Sequence, residues 1–563
     1  MTHGKIDRRT FLELCALSAA SGCASPFGLG KSGRGSSSPD YWCTWATQSH
    51  SVGKSVKLGL MGSSFHGDQG IAWARDNLNE RILFDGWAKN YYPSVRGNLY
   101  CVLDDGWDVP YGENPGKAIE PFGSLVADAE RFPSFAGTPA ARMRGLNRAL
   151  QDLGWRGAGL WVAAQAKGEG RGARLNTVAA REDLKRKLGW CAEAGIGYLK
   201  VDWGVHSGST EYRRLLSEAK DAEAPDVAVE HCAVMGAPFN GLSFGADGTM
   251  TCTGRAAEDA PWREQARQIM RFADVLRIYD LMQPLTLCNA AERTQILLRL
   301  GEADAAKALI NVEDEIYLGA ALGCTFGAMR SPDSMRPYGG RDWSDCWRRT
   351  TEVVRATNWR RYAPAFAAAD GSRTCISQET VTDDWFFEAG TVWWKKIYGK
   401  HPVQSAPARI ARNLPLPGVT VAGDERPLVC VSRHPNGALA IGALPRIKWP
   451  RGRFEVPADI RLDVVPGRHL AVFGSVASVR VRDNGAVRVV ARDLAQTGDA
   501  AGEDITRAVV RTGDGHLVLP GDVLNRIGAK ETRDLSSPAC HIEFLGSAVA
   551  AEDLASVKCR KNK

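Results

Sequence analysis

The spacings that most directly announce a cofactor are missing from this chain. Its 14 cysteines include no CxxC or CxxxC pair, so no metal site is expected. There is no GxxxxGK[ST], and no GxGxxG at the first strand-to-helix turn. Those loops cradle phosphates, so a nucleotide cofactor is not expected either. No internal repeat is visible, which sets solenoids and propellers aside. Basic charge is scarce where nucleic acid would need it. The net charge is +7, and the tail from Lys558 to Lys563 supplies four of the positive charges. The nearly balanced body offers no basic face for a phosphate backbone.

What is present is a globular composition on a large scale. With 563 residues, 44 % hydrophobic and 24 % charged, the chain can build two or three domains, or one barrel with an accessory domain. Asp7-Arg8-Arg9-Thr10-Phe11-Leu12 is a twin-arginine pattern, followed by an apolar run from Leu14 to Ala20. That run is too short to span a membrane and Glu13 interrupts its approach. Residues 1–30 therefore read as a twin-arginine signal for export, periplasmic or extracellular, in the folded state. Ser21-Gly22-Cys23 resembles a lipoprotein cleavage box, which would leave a lipid anchor on Cys23. Residues 31–50, with the Gly/Ser stretch from Ser32 to Ser38, read as a linker. Cys101, Cys232, Cys288 and Cys324 lie in apolar runs and read as buried thiols.

From Ser55–Met61, read as a first strand, strand-like and helix-like stretches alternate about eight times. Gly159 to Ala164, Tyr198 to Val201, Val227 to Val229, Val275 to Ile278 and Leu309-Ile310 are among the strands; Ile71 to Asn90 and Ala140 to Leu153 are among the helices. Gly236 to Ala260 reads as loop. This alternation predicts an α/β fold, a (β/α)8 TIM barrel over residues 51–365, with an open doubly wound sheet as the alternative. Beyond about Arg373 the pattern becomes short runs of Val, Trp and Phe, separated by turns such as Pro435-Asn436-Gly437 and Asp483-Asn484-Gly485. Residues 372–555 are thus expected to form an antiparallel β-sandwich.

Two strand ends carry chemistry. Tyr198-Leu199-Lys200-Val201 runs into Asp202-Trp203-Gly204, and Leu99-Tyr100-Cys101-Val102-Leu103 runs into Asp104-Asp105-Gly106-Trp107. Barrel enzymes keep their active sites at the carboxyl ends of strands. Carboxylates accept hydroxyl protons and indole faces cover the apolar C–H side of a sugar ring, so these ends suit a carbohydrate. Lys200 and Asp202, two residues apart, share a strand face. The bland alternatives are that Asp104-Asp105 cap a helix, that Lys200 and Asp202 form a structural ion pair, that Arg277 and Asp280 are a surface pair, and that Glu313 and Glu315 are caps. His66 and His231 read first as loop or core histidines.

Residues 55–335 resemble glycoside hydrolase clan D, the α-galactosidase-like families 27 and 36. The resemblance rests on Leu103-Asp104-Asp105-Gly106-Trp107, on Glu130-Arg131-Phe132-Pro133, on Gly159-Leu160-Trp161 and on Leu199-Lys200-Val201-Asp202. It implies that Asp202 is a nucleophile and that Asp104, Asp105, Trp107, Trp161, Lys200 and Trp203 surround the sugar. Arg277-Ile278-Tyr279-Asp280 matches the sixth-strand arginine and acid/base with one residue less between them, which names Asp280, with Asp274 competing. Asn311-Val312-Glu313-Asp314 resembles the seventh-strand N-x-x-D, placing Asp314 near the sugar, and Glu230 falls where the fifth strand selects the C2 substituent. Trp203-Gly204 replaces the aromatic-Cys pair that follows the nucleophile, so the exact sugar is left open. The implied activity is retaining hydrolysis of a terminal α-galactoside-like sugar, on an oligosaccharide or glycoside substrate, by two carboxyl groups about 5–5.5 Å apart. A non-catalytic carbohydrate-binding protein on the same fold is the alternative.

Overall fold

The computed structural model describes residues 38–50, 74–113, 118–232, 242–244, 249–252, 261–278, 287–332, 349–370, 373–384, 401–448, 451–496 and 501–546. The expected export signal with Cys23, the expected strand Ser55–Met61, His66 and Asp280 lie outside the described residues.

Eight parallel strands make the first sheet: β1 (Tyr41–Cys43), β2 (Tyr100–Leu103), β3 (Gly157–Val162), β4 (Tyr198–Val201), β5 (Ala228–His231), β6 (Val275–Arg277), β7 (Leu309–Asn311) and β8 (Gly327–Ala328). Their order is β8-β1-β2-β3-β4-β5-β6-β7. The ring closes between β7 and β8, where Thr325 N donates to Ile310 O and Val312 N to Thr325 O, both at 2.9 Å. This is the expected TIM barrel. After β2 the described helices of this half are α1 (Pro139–Asp152), α2 (Thr177–Ala194), α3 (Thr210–Glu223), α4 (Pro261–Met270), α5 (Leu287–Ala303), α6 (Ile316–Ala321) and, past β8, α7 (Thr350–Trp359). Local sequence sets their ends. Thr138, Asn176 and Ser209 accept from the first-turn amides of α1, α2 and α3, and Gly195, at φ 70°, ends α2. The expected helix Ile71–Asn90 is interrupted at Asn79, whose side chain caps a new helical start at Glu80.

The barrel begins earlier than expected. Ser38 to His50 is no linker: β1 pairs with β8 on one side and β2 on the other, and Asp40 is held by Arg360 and by the Phe326 amide. Three residues of strand are too few for any apolar periodicity to show. β1 is fixed by what it fills instead. The Tyr41 ring occupies the space a side chain on Gly327 would take, where a Cβ would come within 2.2 Å of the ring. Tyr41 and Tyr100 pack on Tyr198 at ring separations of 5.1 and 5.6 Å. These tyrosines plug the lower barrel, so its chemistry is confined to the upper mouth.

The carboxy-terminal half is a β-sandwich. An eight-stranded sheet built around Leu428–Arg433, Leu439–Leu444, His469–Phe473 and Ala539–Leu545 faces a five-stranded sheet containing Ala458–Arg461, Ser478–Arg482 and His516–Pro520. Val431, Ile441 and Val472 from one and Ile460, Val479 and Leu519 from the other share a core. Pairing is mainly antiparallel, with parallel pairs such as Leu439–Leu444 on His469–Phe473. Pro435-Asn436-Gly437 is the expected hairpin turn, with Gly437 at φ 84°. Asp483-Asn484-Gly485 is not. It carries the chain from the five-stranded sheet to the eight-stranded one, because the strands it joins line opposite walls of one core. Part of the expected loop 236–260 is also strand. Thr249–Cys252 runs parallel to His401–Pro407 and antiparallel to Leu242–Phe244, so the β5–α4 connection is sewn to the sandwich half. Helices α6 and α7 dock the barrel on the sandwich through Tyr317 against Phe473 and an Arg355–Asp493 pair with two 2.8 Å contacts.

Candidate active site

Alternation along β4 turns Tyr198, Lys200 and then Asp202 into the barrel and Leu199 and Val201 toward the helices. The register Trp161↔Lys200↔Glu230 sets neighbouring side chains at the same height. Lys200 is wholly buried, and its Nζ donates to Asp104 Oδ2 at 2.6 Å and to Cys43 Sγ at 3.6 Å. The Cys43 thiol donates to the same carboxylate oxygen at 3.0 Å. Asp105 turns the other way, into a two-point ion pair with Arg75, and accepts from Trp203 Nε1 at 3.1 Å. Burial pushes the Asp105 carboxyl upward, and Arg75 works against that shift. Neither aspartate caps a helix; each is taken by side chains at the mouth.

Asp202 closes the other side. Its Oδ2 accepts from Arg277 Nη2 at 2.9 Å and from Trp161 Nε1 at 3.4 Å. Arg277 is fully buried and meets two more carboxylates: Nη1 donates to Glu313 Oε1 and Oε2 at 2.8 and 2.9 Å, and Nε lies 3.1 Å from Glu230 Oε1. Glu230 also accepts from Tyr41 at 3.1 Å, from Tyr198 at 2.7 Å and from Asn311. Burial raises both tyrosine pKa values well above the usual range, so these phenols stay protonated donors. Glu230 is therefore sealed beneath Arg277, which lies between it and Asp202.

The indoles divide. Trp203 remains partly open beside Asp202, packed on Phe122 and on Trp161, with ring separations of 4.9 and 5.1 Å. Gly204 makes this possible: at φ 149° the chain folds onto the end of β3, and a Cβ there would stand 2.5 Å from Ala164 N. Trp161 is 1 % exposed and lines the wall under Asp202. Trp107, expected at the sugar, is fully buried, its indole donating to Trp161 O at 2.8 Å. The tight turn after Asp105 carries it behind β3, so it supports the wall and does not face the mouth.

Other expected residues are drawn elsewhere. Asp274 precedes β6 and so sits at the strand's amino end, accepting from Lys220 Nζ at 3.0 Å and Val229 N at 2.9 Å. That is the wrong end of the barrel for an acid. Asp314, at φ 55°, accepts from Met329 N at 3.1 Å and lies 3.5 Å from Arg330, tying the chain after β7 to the chain after β8. His231 faces outward against Ser217 and Arg213, and burial keeps it neutral. Sequence reasoning missed Tyr41, Cys43, Arg75 and, as a site residue, Glu313. The alternations Tyr41-x-Cys43 and Asn311-x-Glu313 were the available signals; Arg75 had none. The nine cysteines with described side chains are free thiols. Among the described residues no group of three or more His, Cys, Asp or Glu could hold a metal ion.

Fold and site together define a TIM-barrel protein with a carboxylate-lined, indole-flanked mouth. No family model and no curated protein matches the chain. Among solved structures it is similar to α-galactosidase I from Mortierella vinacea, at 12 % identity over 93 % of this chain and 100 % of that one, TM-score 0.37. It is similar to a GH27 β-L-arabinopyranosidase from Geobacillus stearothermophilus, at 12 % identity over 91 % and 97 %, TM-score 0.38. It is similar also to an α-galactosidase from Saccharomyces cerevisiae solved with raffinose, at 11 % identity over 63 % and 69 %, TM-score 0.33. At such scores the functional reading has to stand on the side chains.

Proposed function

We propose that the protein is a retaining glycoside hydrolase that removes terminal α-galactoside-like sugars. The observation that carries this is Asp202 at the carboxyl end of β4, braced by Arg277 and Trp161, with the Lys200–Asp104 pair and the open face of Trp203 beside it. Asp202 attacks the anomeric carbon while Asp280 gives its proton to the departing oxygen. A covalent glycosyl-enzyme forms and the aglycone leaves as an alcohol. Asp280 then takes a proton from water, the water oxygen attacks the same carbon, and Asp202 is released. Asp104, Asp105 and Lys200 hold hydroxyls, and Trp203 covers the ring. Arg277, three residues before Asp280 in sequence, would oppose protonation of an acid beside it, but three carboxylates already divide its charge.

A panel of nitrophenyl glycosides, with NMR of the first-formed anomer, tests this reading. Retention on the α-galactoside is expected; inversion, or no turnover of any glycoside, would sink it. Asp202→Ala should lose roughly 10⁴-fold or more in kcat. Azide added to that variant should yield the inverted glycosyl azide, because it enters from the face Asp202 vacated. Asp280→Ala should give a burst and slow turnover on substrates with good leaving groups. Export by the twin-arginine route, with or without lipidation of Cys23, belongs to the same proposal. Changing Arg8 and Arg9 to lysine should retain the precursor in the cytoplasm, and unchanged export would refute it.

A further inference from the structure

We propose that Glu313 is a positioning residue: it takes a share of the Arg277 guanidinium so that Asp202 is not locked in a closed ion pair, and it ties Arg277 to Lys200. Its kinetic arm rests on the glycosidase reading above. Glu313 lies two residues past Asn311 and turns inward like it. It is wholly buried. Both its oxygens accept from Arg277 Nη1, and Lys200 Nζ stands 3.8 Å from Oε1. A capping role does not account for it. The residue before α6 is Glu315, which makes no side-chain cap bond. Nor is stability a sufficient reason, since buried ion pairs are often matched by apolar packing.

The consequence follows from charge. A guanidinium given to Asp202 alone would neutralise the attacking carboxylate. Here Glu313 and Glu230 face the same cation from its other nitrogens. Among the described residues, the other charged or titratable groups near Asp202 include Lys200 on its own strand, Asp104 and Asp105 beyond β2, Arg75 paired with Asp105, Cys43 on β1, and Arg213 on α3, whose Nη2 donates to Asp202 O at 3.0 Å. Removing the Glu313 charge shifts the balance at Asp202 toward the cations. The carboxylate then protonates at lower pH and attacks more weakly.

The test is Glu313→Gln and Glu313→Asp in the full chain, with nitrophenyl α-galactoside as substrate. For Glu313→Gln, kcat should fall about 10–100-fold with KM within about threefold, and the acid limb of kcat/KM should move down by about half a pH unit or more. Glu313→Asp keeps the charge and should recover most of kcat with the smaller limb shift. Wild-type kinetics in Glu313→Gln would overturn the proposal, as would equal losses in both variants with the limb unmoved. Should the wild type cleave no glycoside, the glycosidase reading fails separately. Charge sharing is then read from the carboxyl ¹³C titration of Asp202: a lower midpoint in Glu313→Gln supports it and an unchanged one overturns it. If Glu313→Gln does not fold, Glu313→Asp decides. A kcat within about tenfold of wild type, or a lowered limb, supports the role; a larger loss with an unmoved limb overturns it.

Discussion

Lys200→Met separates two roles that one buried lysine combines. Its Nζ is 2.6 Å from Asp104 Oδ2 and both side chains are buried, Lys200 at 0 % and Asp104 at 3 % exposure. In the variant, Asp104 keeps the Cys43 thiol at 3.0 Å and the Asp105 amide at 2.8 Å, but among the described residues no other cation stands at ion-pair distance to replace the ammonium. Breaking a buried pair from one side costs about 3–5 kcal/mol, because the surviving charge is left unpaired. Adding Asp104→Asn removes that charge, so the double variant should regain about 2–3 kcal/mol. Activity should follow the opposite course. Each group is proposed to hold a sugar hydroxyl, and a charge-assisted hydrogen bond is worth about 1.5–3 kcal/mol, or roughly 10–150-fold in kcat/KM. The double variant should therefore be more stable than Lys200→Met and no more active. Urea unfolding followed by tryptophan fluorescence, together with nitrophenyl α-galactoside kinetics, measures both. A Lys200→Met protein as stable as wild type would refute the ion-pair argument. A double variant that regains activity would refute the hydroxyl-binding roles.

Glu315 gives a pH prediction. Burial raises its pKa from 4.5 to about 7, so the folded protein keeps a proton that the unfolded chain releases. Its contribution is fully present below about pH 4.5 and is lost as pH rises through about 7, a decline on the order of 3 kcal/mol. Glu315→Gln should lack that decline, so its stability relative to wild type should be greater at pH 7.5 than at pH 4.5; a constant difference by urea unfolding would count against it. Gly204→Ala should strain the turn by about 1–3 kcal/mol, given φ 149° and the 2.5 Å approach to Ala164 N. It should also displace Trp203 and raise KM, and unchanged KM with unchanged stability would show that the turn has room.

How far the sequence could be read depended on whether a feature is local. β4 was legible because an inward-outward alternation runs straight into charge, and helix α2 with its Gly195 stop frames it. β1 was not, since three residues between a Gly/Ser stretch and a helix carry no period; only closure against Gly327 and Tyr100 defines it. Thr249–Cys252 is strand because of a partner about 150 residues away in sequence, His401–Pro407. The site divides along the same line. Asp104, Asp105, Lys200, Asp202 and Arg277 were found because each ends a strand. Trp107 and Trp203 looked alike beside their aspartates, and only the path of the following turn buries one and opens the other. Asp274 shows the value of direction: the residue before a strand and the residue after it lie at opposite ends of a barrel.

The charge inside the barrel connects these features to the proposed chemistry. Asp104, Asp202, Glu230 and Glu313 face two cations, Lys200 and Arg277, while Asp105 and Arg75 form a separate pair. Two carboxylates in excess are costly to bury. Glu230 is compensated by hydrogen bonds from Tyr41, Tyr198 and Asn311, and those phenols cannot lose their protons at any working pH. The same groups that plug the barrel thus hold the Glu230 carboxyl in place below Arg277. A glycosyl transition state carries positive charge near the anomeric carbon, as an oxocarbenium-like species. Negative charge already in place there needs no reorganisation when that charge develops, which is where electrostatic catalysis gains most. Substituting Glu230 by Gln should therefore cost more in kcat than in KM although it is sealed from substrate, whereas a carboxylate serving only as packing would cost stability with kcat unchanged.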